Sequence, residues 1–254
     1  MVFFGLTDAG KQRSDNQDNF KICQLECGAV LAVVCDGMGG AAGGSIASSI
    51  AAETFCNIII QNEKLLFSPD GAIKENTVKN ALITGVNKAN TAVYQKAVID
   101  PSLEGMGTTL VGCFIYKDIV MAINVGDSRI YSVYKDRVVR VSKDHSFVQT
   151  LVDMGEISEK EAQNHPKKNI IMRAVGVDDS VEADYFRLST DMEQILLCSD
   201  GLSNYVTDDN KLLEFFVEQN AKNAAESLVE FANKSGGGDN ITAVVIDFKG
   251  GKAE

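Results

Sequence analysis

The 254 residues include 45% apolar side chains, and 35 acidic against 24 basic residues give a net charge of −11 at pH 7. This length and apolar content suffice for a single domain with a sizeable core, and an acidic chain without a basic stripe argues against nucleic-acid binding. The start at Met1 lacks the basic region of a secretory signal, and no apolar run approaches the length of a membrane span.

The first half of the chain predicts strands followed by two long helices. Apolar and β-branched runs indicate strands, and apolar residues at helical spacing indicate helices. A loop, with a turn at Ser68-Pro-Asp-Gly, separates the two helices. In chain order, the predicted strands are 2–8, 19–25 and 29–35, and the predicted helices are 45–60 and 77–99.

The second half begins with hairpins and ends with helices. Tight polar turns separate the strands of each hairpin, and segment 142–176 is a charged surface excursion with short helices and both histidines. Irregular order, with hairpins in the middle and helices in an early and a late pair, predicts antiparallel sheets covered by helices. The strands are 110–115, 119–125, 129–134, 137–141, 181–188, 194–198 and 241–248, and the helices are 211–217 and 221–233.

Aspartates stand at the ends of several of these strands. Asp36 and Asp200 each end an apolar strand and precede glycine, while Asp239 comes directly before the last strand. Because the start of one antiparallel strand lies beside the end of the next, these three carboxylates can gather at one sheet edge. Asp127, in the turn after strand 119–125, and Asp18, just before strand 19–25, have the same placement.

A cluster of carboxylates requires a cation, because like charges at one place repel. Oxygen ligands without histidine or cysteine indicate a hard ion such as Mg²⁺, Mn²⁺ or Ca²⁺. The glycines after Asp36 allow the carbonyl of Gly37 to approach such an ion. Two ions sharing one carboxylate, which we assign to Asp36, form the clamp used for in-line displacement at phosphorus.

Arg13 is the predicted phosphate-binding residue, because a guanidinium binds two phosphate oxygens in a fork. The competing interpretation is a surface arginine paired with Asp15.

Four other kinds of site fit the sequence less well than the proposed metal site. The run from Gly37 to Ala42 matches the loose dinucleotide pattern, but Asp36 before it would repel a pyrophosphate. No Walker lysine follows these glycines. A Ser-His-Asp triad has little support, since His145 and His165 fit packing or surface roles better than catalysis. The six cysteines lack zinc spacing and are interpreted as reduced core residues of a cytoplasmic protein.

Taken together, the motifs resemble the PP2C-type (PPM family) metal-dependent protein serine/threonine phosphatases, and most of all their bacterial members. They run almost the whole length of the chain in family order, and eight of them in order are highly specific. The motifs are Arg13-Ser-Asp-Asn-Gln-Asp18, Asp36-Gly-Met-Gly-Gly40, Gly105-Met-Gly-Thr-Thr109, Val125-Gly-Asp-Ser-Arg129, Asp144-His-Ser146, Arg173-Ala-Val-Gly176, Cys198-Ser-Asp-Gly-Leu202 and Gly238-Asp-Asn-Ile-Thr242.

The resemblance implies an α+β fold, a four-layer α-β-β-α sandwich of two antiparallel sheets flanked by helix pairs. It implies one domain, 1–254, in which 142–176 is a flap beside the site that selects protein substrates. Asp36, Asp200 and Asp239 would hold a first Mn²⁺ or Mg²⁺, and Asp36 with the Gly37 carbonyl a second.

By the same resemblance, Asp127 with Asp200 would form a weaker third site. Asp18 would act through a metal-bound water, and Arg13 would hold the phosphate. Many eukaryotic relatives have histidine after Asp-Gly as a proposed general acid; Met38 stands here. The proton would then come from a metal-bound water or from another group.

The expected activity is direct hydrolysis of phosphoserine and phosphothreonine by a water bridging two metal ions. The alternative is a catalytically silent phosphoprotein-binding module of the same fold, whose usual mark is loss of the metal aspartates; all are present here. The expected partners are phosphorylated proteins and a cognate serine/threonine kinase. Nothing in the sequence demands more than a monomer.

Overall fold

The structure, a computed structural model, describes residues 1–248, except for the side chains of residues 41 and 42. The last six residues of the predicted domain therefore lie outside the described residues. The strands are β1 Val2–Asp8, β2 Asp18–Gln24, β3 Val30–Met38, β4 Gly107–Thr108, β5 Leu110–Tyr116, β6 Ile119–Val125, β7 Arg129–Val133, β8 Val138–Arg140, β9 Asp184–Leu188, β10 Gln194–Cys198 and β11 Ile241–Asp247. The α-helices are α1 Gly40–Gln61, α2 Glu75–Ile99, α3 Phe147–Asp153, α4 Glu159–Gln163, α5 Asp200–Ser203, α6 Asp209–Glu214 and α7 Ala221–Lys234.

The strands form two antiparallel sheets. One has the order β1-β11-β10-β7-β8, and the other has the order β2-β3-β5-β6-β9, with the short β4 paired to β3. Every pair is antiparallel. The predicted fold class is thus confirmed: short turns make hairpins of β2–β3, β5–β6 and β7–β8, and antiparallel pairs between strands remote in sequence complete both sheets.

Strand β3 explains why the sheets stack face to face. Val30, Ala32 and Val34 point into the core between the sheets, where Ile195 and Val244 of the other sheet meet them. The alternate residues of β3 face the opposite way and pack under α1 and α2. Because both faces are buried, this strand has an uninterrupted apolar sequence instead of an alternating one. Helix α7 covers the outer face of the other sheet.

Helix α1 contains the one stretch within residues 1–248, Gly43–Gln61, that has the length and composition to cross a membrane. This corrects the prediction that no apolar run approaches that length. Half of the stretch is buried inside the protein, and Ala47, Ala51 and Phe55 belong to the core beneath it. Core packing therefore accounts for its apolar character.

Several predicted boundaries shift in the structure. Helix α1 starts at Gly40, because the glycines taken for a loop enter the first turn, where Gly44 lies against Gly37. Asp200 begins the short helix α5, whereas the prediction placed it at the end of a strand. The predicted strand 181–188 is ordered as a strand only over Asp184–Leu188. All six cysteines are free, as predicted, and four of them are buried.

Candidate active site

The predicted acidic residues lie at one end of the sandwich, where strands of both sheets begin or end. Asp18 opens β2 and is paired in register with Asp36 near the end of β3. Asp200 follows β10 as the first residue of α5, and Asp239 comes two residues before β11. Since β2 and β3 belong to one sheet and β10 and β11 to the other, the site lies across the mouth of the sandwich.

Asp127 joins this cluster from the turn that connects β6 in one sheet to β7 in the other. Its side chain is buried, and it is close enough to Asp200 for the charge of that carboxylate to raise the pKa of Asp127. Asp36 is close enough to Asp18, Asp200 and Asp127 for the charges of these carboxylates to raise its pKa. The structure therefore brings together all five aspartates that the sequence singled out.

The electrostatics of the cluster are unfavourable for the ionised form. Burial first, and then repulsion by neighbouring carboxylates, raise the pKa of Asp36 and Asp127 well above the usual range. The pKa of Asp200 is raised by burial and by Asp239. Asp36 and Asp200 keep part of their surface accessible to solvent, but both are closely surrounded by protein atoms. Such a group of carboxylates is stabilised in its charged form by a cation placed among them.

The buried oxygens of the cluster fit a hard cation and its water shell. Asp18 Oδ1 and Asp127 Oδ1 are buried without a hydrogen-bond partner in the structure, and an unpartnered buried acceptor is costly unless water or an ion meets it. Within residues 1–248, no three acidic, histidine or cysteine side chains already stand in a coordinating arrangement. Instead, Asp239 is paired with Arg13. The donors are all oxygen, as Mg²⁺ and Mn²⁺ require.

Arg13 donates a hydrogen bond from Nη2 to Asp239 Oδ2 at 2.9 Å. This contact is the main cause of the raised pKa of the guanidinium. The side chain is 56% exposed, so the arginine stands at the entrance of the site and not inside it. Arg13 therefore pairs with Asp239, a predicted metal ligand, and not with Asp15, which was the competing interpretation of the sequence.

Gly37 is held by backbone packing on both sides. Its N–H donates to the carbonyl of Gln17 at 3.2 Å, and a Cβ on this residue would lie 2.0 Å from the carbonyl oxygen of Gly44. Glycine is thus required here for close contact with the first turn of α1. From the sequence, only the approach of a carbonyl to an ion was expected at this position, and the contact with α1 was missed.

Hydroxyl and amide residues that sequence reasoning did not assign hold the acidic cluster in place. Ser199 and Thr242 donate to Asp18 Oδ2 at 2.7 and 2.6 Å. Asn240 accepts from the Gln17 N–H at 2.8 Å and donates to the carbonyl of Asp15 at 2.8 Å, which secures the loop that carries Arg13. All three lie inside motifs beside the predicted ligands, and that adjacency was the available signal.

A cleft of about 800 Å³ extends from Asp127 and Asp200 between segment 142–176 and helices α5 and α6. In its wall, Asp144 is held by Arg129 at 2.8 Å and by Arg140 at 2.5 Å. The cleft gives a large ligand access to the acidic cluster from one side.

The stability of the metal-free protein should depend on pH through Asp18. Burial raises the pKa of this carboxyl to about 6, above the value of about 3.9 in an unfolded chain. The neutral form is therefore favoured by folding, and the free energy of unfolding decreases as the pH rises from about 4 to about 6. In EDTA at pH 7, we expect Asp18→Asn to unfold at a higher temperature than the wild type, with the difference closing towards pH 4.5.

The variant must be compared with the wild type because His145 changes stability with pH in the opposite direction to Asp18. Burial lowers the pKa of His145, so its contribution raises the free energy of unfolding as the pH rises. Thermal unfolding measured from pH 4.5 to 8 tests the expectation. A constant difference between wild type and Asp18→Asn over this range would contradict it.

Comparison with known proteins gives consistent results. The family model described as protein phosphatase 2C matches residues 8–233. The chain is 34% identical over 242 residues to the serine/threonine phosphatase stp of Listeria welshimeri, covering 95% of this chain and 93% of the relative.

Solved structures agree with these sequence matches. The serine/threonine phosphatase Stp1 from Staphylococcus aureus superposes with a TM-score of 0.88 at 31% identity, covering 97% of this chain and 94% of that one. The catalytic domain of the serine/threonine protein phosphatase PstP, crystallised with two manganese ions, superposes with a TM-score of 0.80 at 30% identity and 97% coverage of both chains.

Proposed function

Since the chain belongs to the protein phosphatase 2C family and is a protein serine/threonine phosphatase, we propose that it hydrolyses phosphoserine and phosphothreonine directly, with two divalent metal ions. The observation that carries the proposal is the convergence of five carboxylates from both sheets, two of them with buried, unpartnered oxygens. The two manganese ions in the PstP catalytic domain support the choice of metal.

The proposed ligands divide among the ions as follows. Asp36, Asp200 and Asp239 hold one ion, and Asp36 with the carbonyl oxygen of Gly37 holds the second. Asp127 together with Asp200 holds a weaker third ion. When bound, Mn²⁺ or Mg²⁺ lowers the pKa of a water molecule and neutralises charge on the phosphoryl oxygens.

Asp18 orients a water molecule in this arrangement. Its Oδ2 is fixed by the hydroxyls of Ser199 and Thr242, so Oδ1 is directed to a constant position and accepts a hydrogen bond from water. Met38, the residue after Gly37, has no ionisable proton, so the proton for the leaving alkoxide does not come from this position.

Arg13 binds the phosphate of the substrate from the entrance of the site. Its fork geometry suits two phosphate oxygens, and an incoming phosphate competes with Asp239 for the guanidinium. Segment 142–176 acts as the flap that borders the cleft and contacts the protein substrate. We further propose that substrates include a cognate serine/threonine kinase, and that the enzyme works as a cytoplasmic monomer.

Replacing Arg13 by Ala should mainly weaken substrate binding. We expect KM for a phosphothreonine peptide to rise about tenfold or more, since one charge-assisted hydrogen bond contributes about 1.5–3 kcal/mol, while kcat falls less. Inhibition by inorganic phosphate should weaken in parallel. Steady-state kinetics of Arg13→Ala and Arg13→Lys test this, and an unchanged KM with a large loss of kcat would contradict the assignment.

The activity itself is tested with p-nitrophenyl phosphate and a phosphothreonine peptide. Hydrolysis should appear on addition of Mn²⁺ and disappear with EDTA. Phosphopeptide binding without turnover at every Mn²⁺ or Mg²⁺ concentration would instead indicate a silent binding module.

A further inference from the structure

His145 holds the two peptide groups that flank Gly126, the residue before Asp127. Its backbone N–H donates to the carbonyl of Gly126 at 2.9 Å, and its ring Nδ1 accepts from the Gly126 N–H at 3.0 Å. Gly126 has a φ of 105°, a conformation that favours glycine. One residue therefore binds both polar groups of the glycine at which the chain turns into Asp127.

The second ring nitrogen of His145, Nε2, contacts Asp184. Because Nδ1 accepts a hydrogen bond, Nε2 carries the proton and donates to Asp184 Oδ2 at 3.1 Å. Asp184 Oδ1 accepts from Arg173 at 3.0 Å. The side chain of His145 is only 8% exposed, and burial lowers the pKa of the imidazole, which agrees with a neutral ring of this tautomer.

These contacts also join the two ends of segment 142–176. The carbonyl of His145 accepts from the Met172 N–H at 2.7 Å, and the Phe147 N–H donates to the carbonyl of Ile170 at 2.8 Å. Asp184 is the first residue of β9 and is paired with Asn124 of β6. The base of the segment, the edge of the sheet and the turn before Asp127 thus meet at His145.

We propose that His145 is a positioning residue: its Nδ1 holds the Val125–Gly126 peptide and so orients the turn at Gly126, which directs the Asp127 carboxylate towards the weaker third metal ion, called the outer ion below. This inference rests on the proposed function, because it assigns Asp127 to the weaker third ion. His145 does not touch substrate or metal; it acts through Gly126, and its link to Asp184 fixes the tautomer that Nδ1 needs.

Three variants separate the two ring nitrogens. The side-chain amide of His145→Asn reaches the position of Nδ1 and can still accept from Gly126. That of His145→Gln reaches the position of Nε2, where Asp184 and Arg173 each lie at 3.1 Å, and cannot accept from Gly126. His145→Ala loses both contacts. His165→Asn is the matched control, because His165 lies in the same segment and its Nδ1 accepts locally from the Lys167 N–H at 3.1 Å.

Two measurements on the full chain report the positioning. In the metal-free protein, amide hydrogen exchange at Gly126 should become about tenfold faster in His145→Ala and His145→Gln, as expected for loss of one hydrogen bond, and stay close to wild type in His145→Asn. Mn²⁺ binding is titrated by calorimetry and electron paramagnetic resonance. In His145→Ala and His145→Gln, the affinity for the outer ion should fall about tenfold, and the affinities for the two tighter ions should not change. Excess Mn²⁺ should restore their kcat.

Failure of the inference is distinguishable from failure of the proposed function. If the wild type binds Mn²⁺ and hydrolyses phosphopeptide, but all three His145 variants bind the outer ion as the wild type does, the positioning role is overturned. It is also overturned if His145→Asn and His145→Gln behave alike, or if His165→Asn has an equal effect. A wild type that binds no Mn²⁺ and has no activity overturns the proposed function, while Gly126 exchange still reports whether the Nδ1 contact exists.

Discussion

Replacing Asp36 by Asn is expected to reduce phosphatase turnover by at least about 10³-fold. Asp36 is paired in register with Asp18 and lies close to Asp200. It is the proposed ligand shared by two ions, so its charge contributes to holding both. A loss of about 4 kcal/mol of charge stabilisation in the transition state corresponds to this factor. Turnover of a phosphothreonine peptide at saturating Mn²⁺ measures it, and Asp239→Ala should give a loss of similar size.

The same substitution should stabilise the metal-free protein. Asn removes a carboxylate whose ionisation is opposed by burial and by its neighbours, so we expect the free energy of unfolding in EDTA to increase by about 1–2 kcal/mol. A gain of stability together with a loss of activity shows that turnover is not lost through unfolding.

The control for these variants is Asp136→Asn, in which an exposed carboxylate paired with its neighbour Arg137 is replaced. It should change neither activity nor stability. Full activity of Asp239→Ala would remove Asp239 from the proposed ligand set.

Replacing Gly37 by Ala is expected to lower the free energy of unfolding by about 3 kcal/mol or more. The added Cβ would lie 2.0 Å from the carbonyl oxygen of Gly44 and 2.7 Å from that of Gln17, so two backbone segments would have to separate. For a protein of this size, such a loss lowers the melting temperature by about 6–12 °C. Activity should fall as well, because Asp36 is the preceding residue. Thermal and urea unfolding measure the effect.

Gly71→Ala is the control for a glycine-to-alanine change without crowding, since Gly37 lies in strand β3 and Gly71 in an open turn. Gly71 has a φ of 81° and open space around its Cα, so alanine there costs only the strain of a left-handed conformation, about 1 kcal/mol. If Gly37→Ala were no more destabilising than Gly71→Ala, local relaxation would accommodate the methyl group and the packing argument would be wrong.

The fold class followed from local patterns. Hairpin turns between apolar runs, as at residues 116–118, determine antiparallel pairing over short distances in sequence, and the structure pairs β5 with β6 there as expected. Boundaries were less accurate where glycines occur. The helix starts at Gly40, five residues before the predicted start, because Gly44 packs closely against Gly37 of β3 and against Gln17 before β2. This contact outweighs the low helix propensity of glycine.

The candidate site was predictable in composition but not in its contacts. Strand-end placement identified Asp36, Asp200 and Asp239, because the start of one antiparallel strand lies beside the end of its neighbour. The structure places them on two sheets, at the mouth of the sandwich and not at the edge of a single sheet as the sequence predicted. The pairing of Arg13 with Asp239 joins residues 226 positions apart, and no periodicity reports such a contact. The same holds for His145, which the sequence favoured as a packing residue and which the structure places against Gly126 and Asp184.

By itself, the sequence determined which residues form strands, which carboxylates end them and that their donors are all oxygen, since these depend on side-chain type and on neighbours along the chain. Only the tertiary structure decided which carboxylate meets which partner: the hydroxyls on Asp18, the guanidinium on Asp239 and the imidazole behind Asp127. Those choices depend on the register between strands and on the stacking of two sheets. The strand register and the stacking of the sheets determine distances of a few ångströms between residues far apart in sequence, and no local property of the chain predicts them.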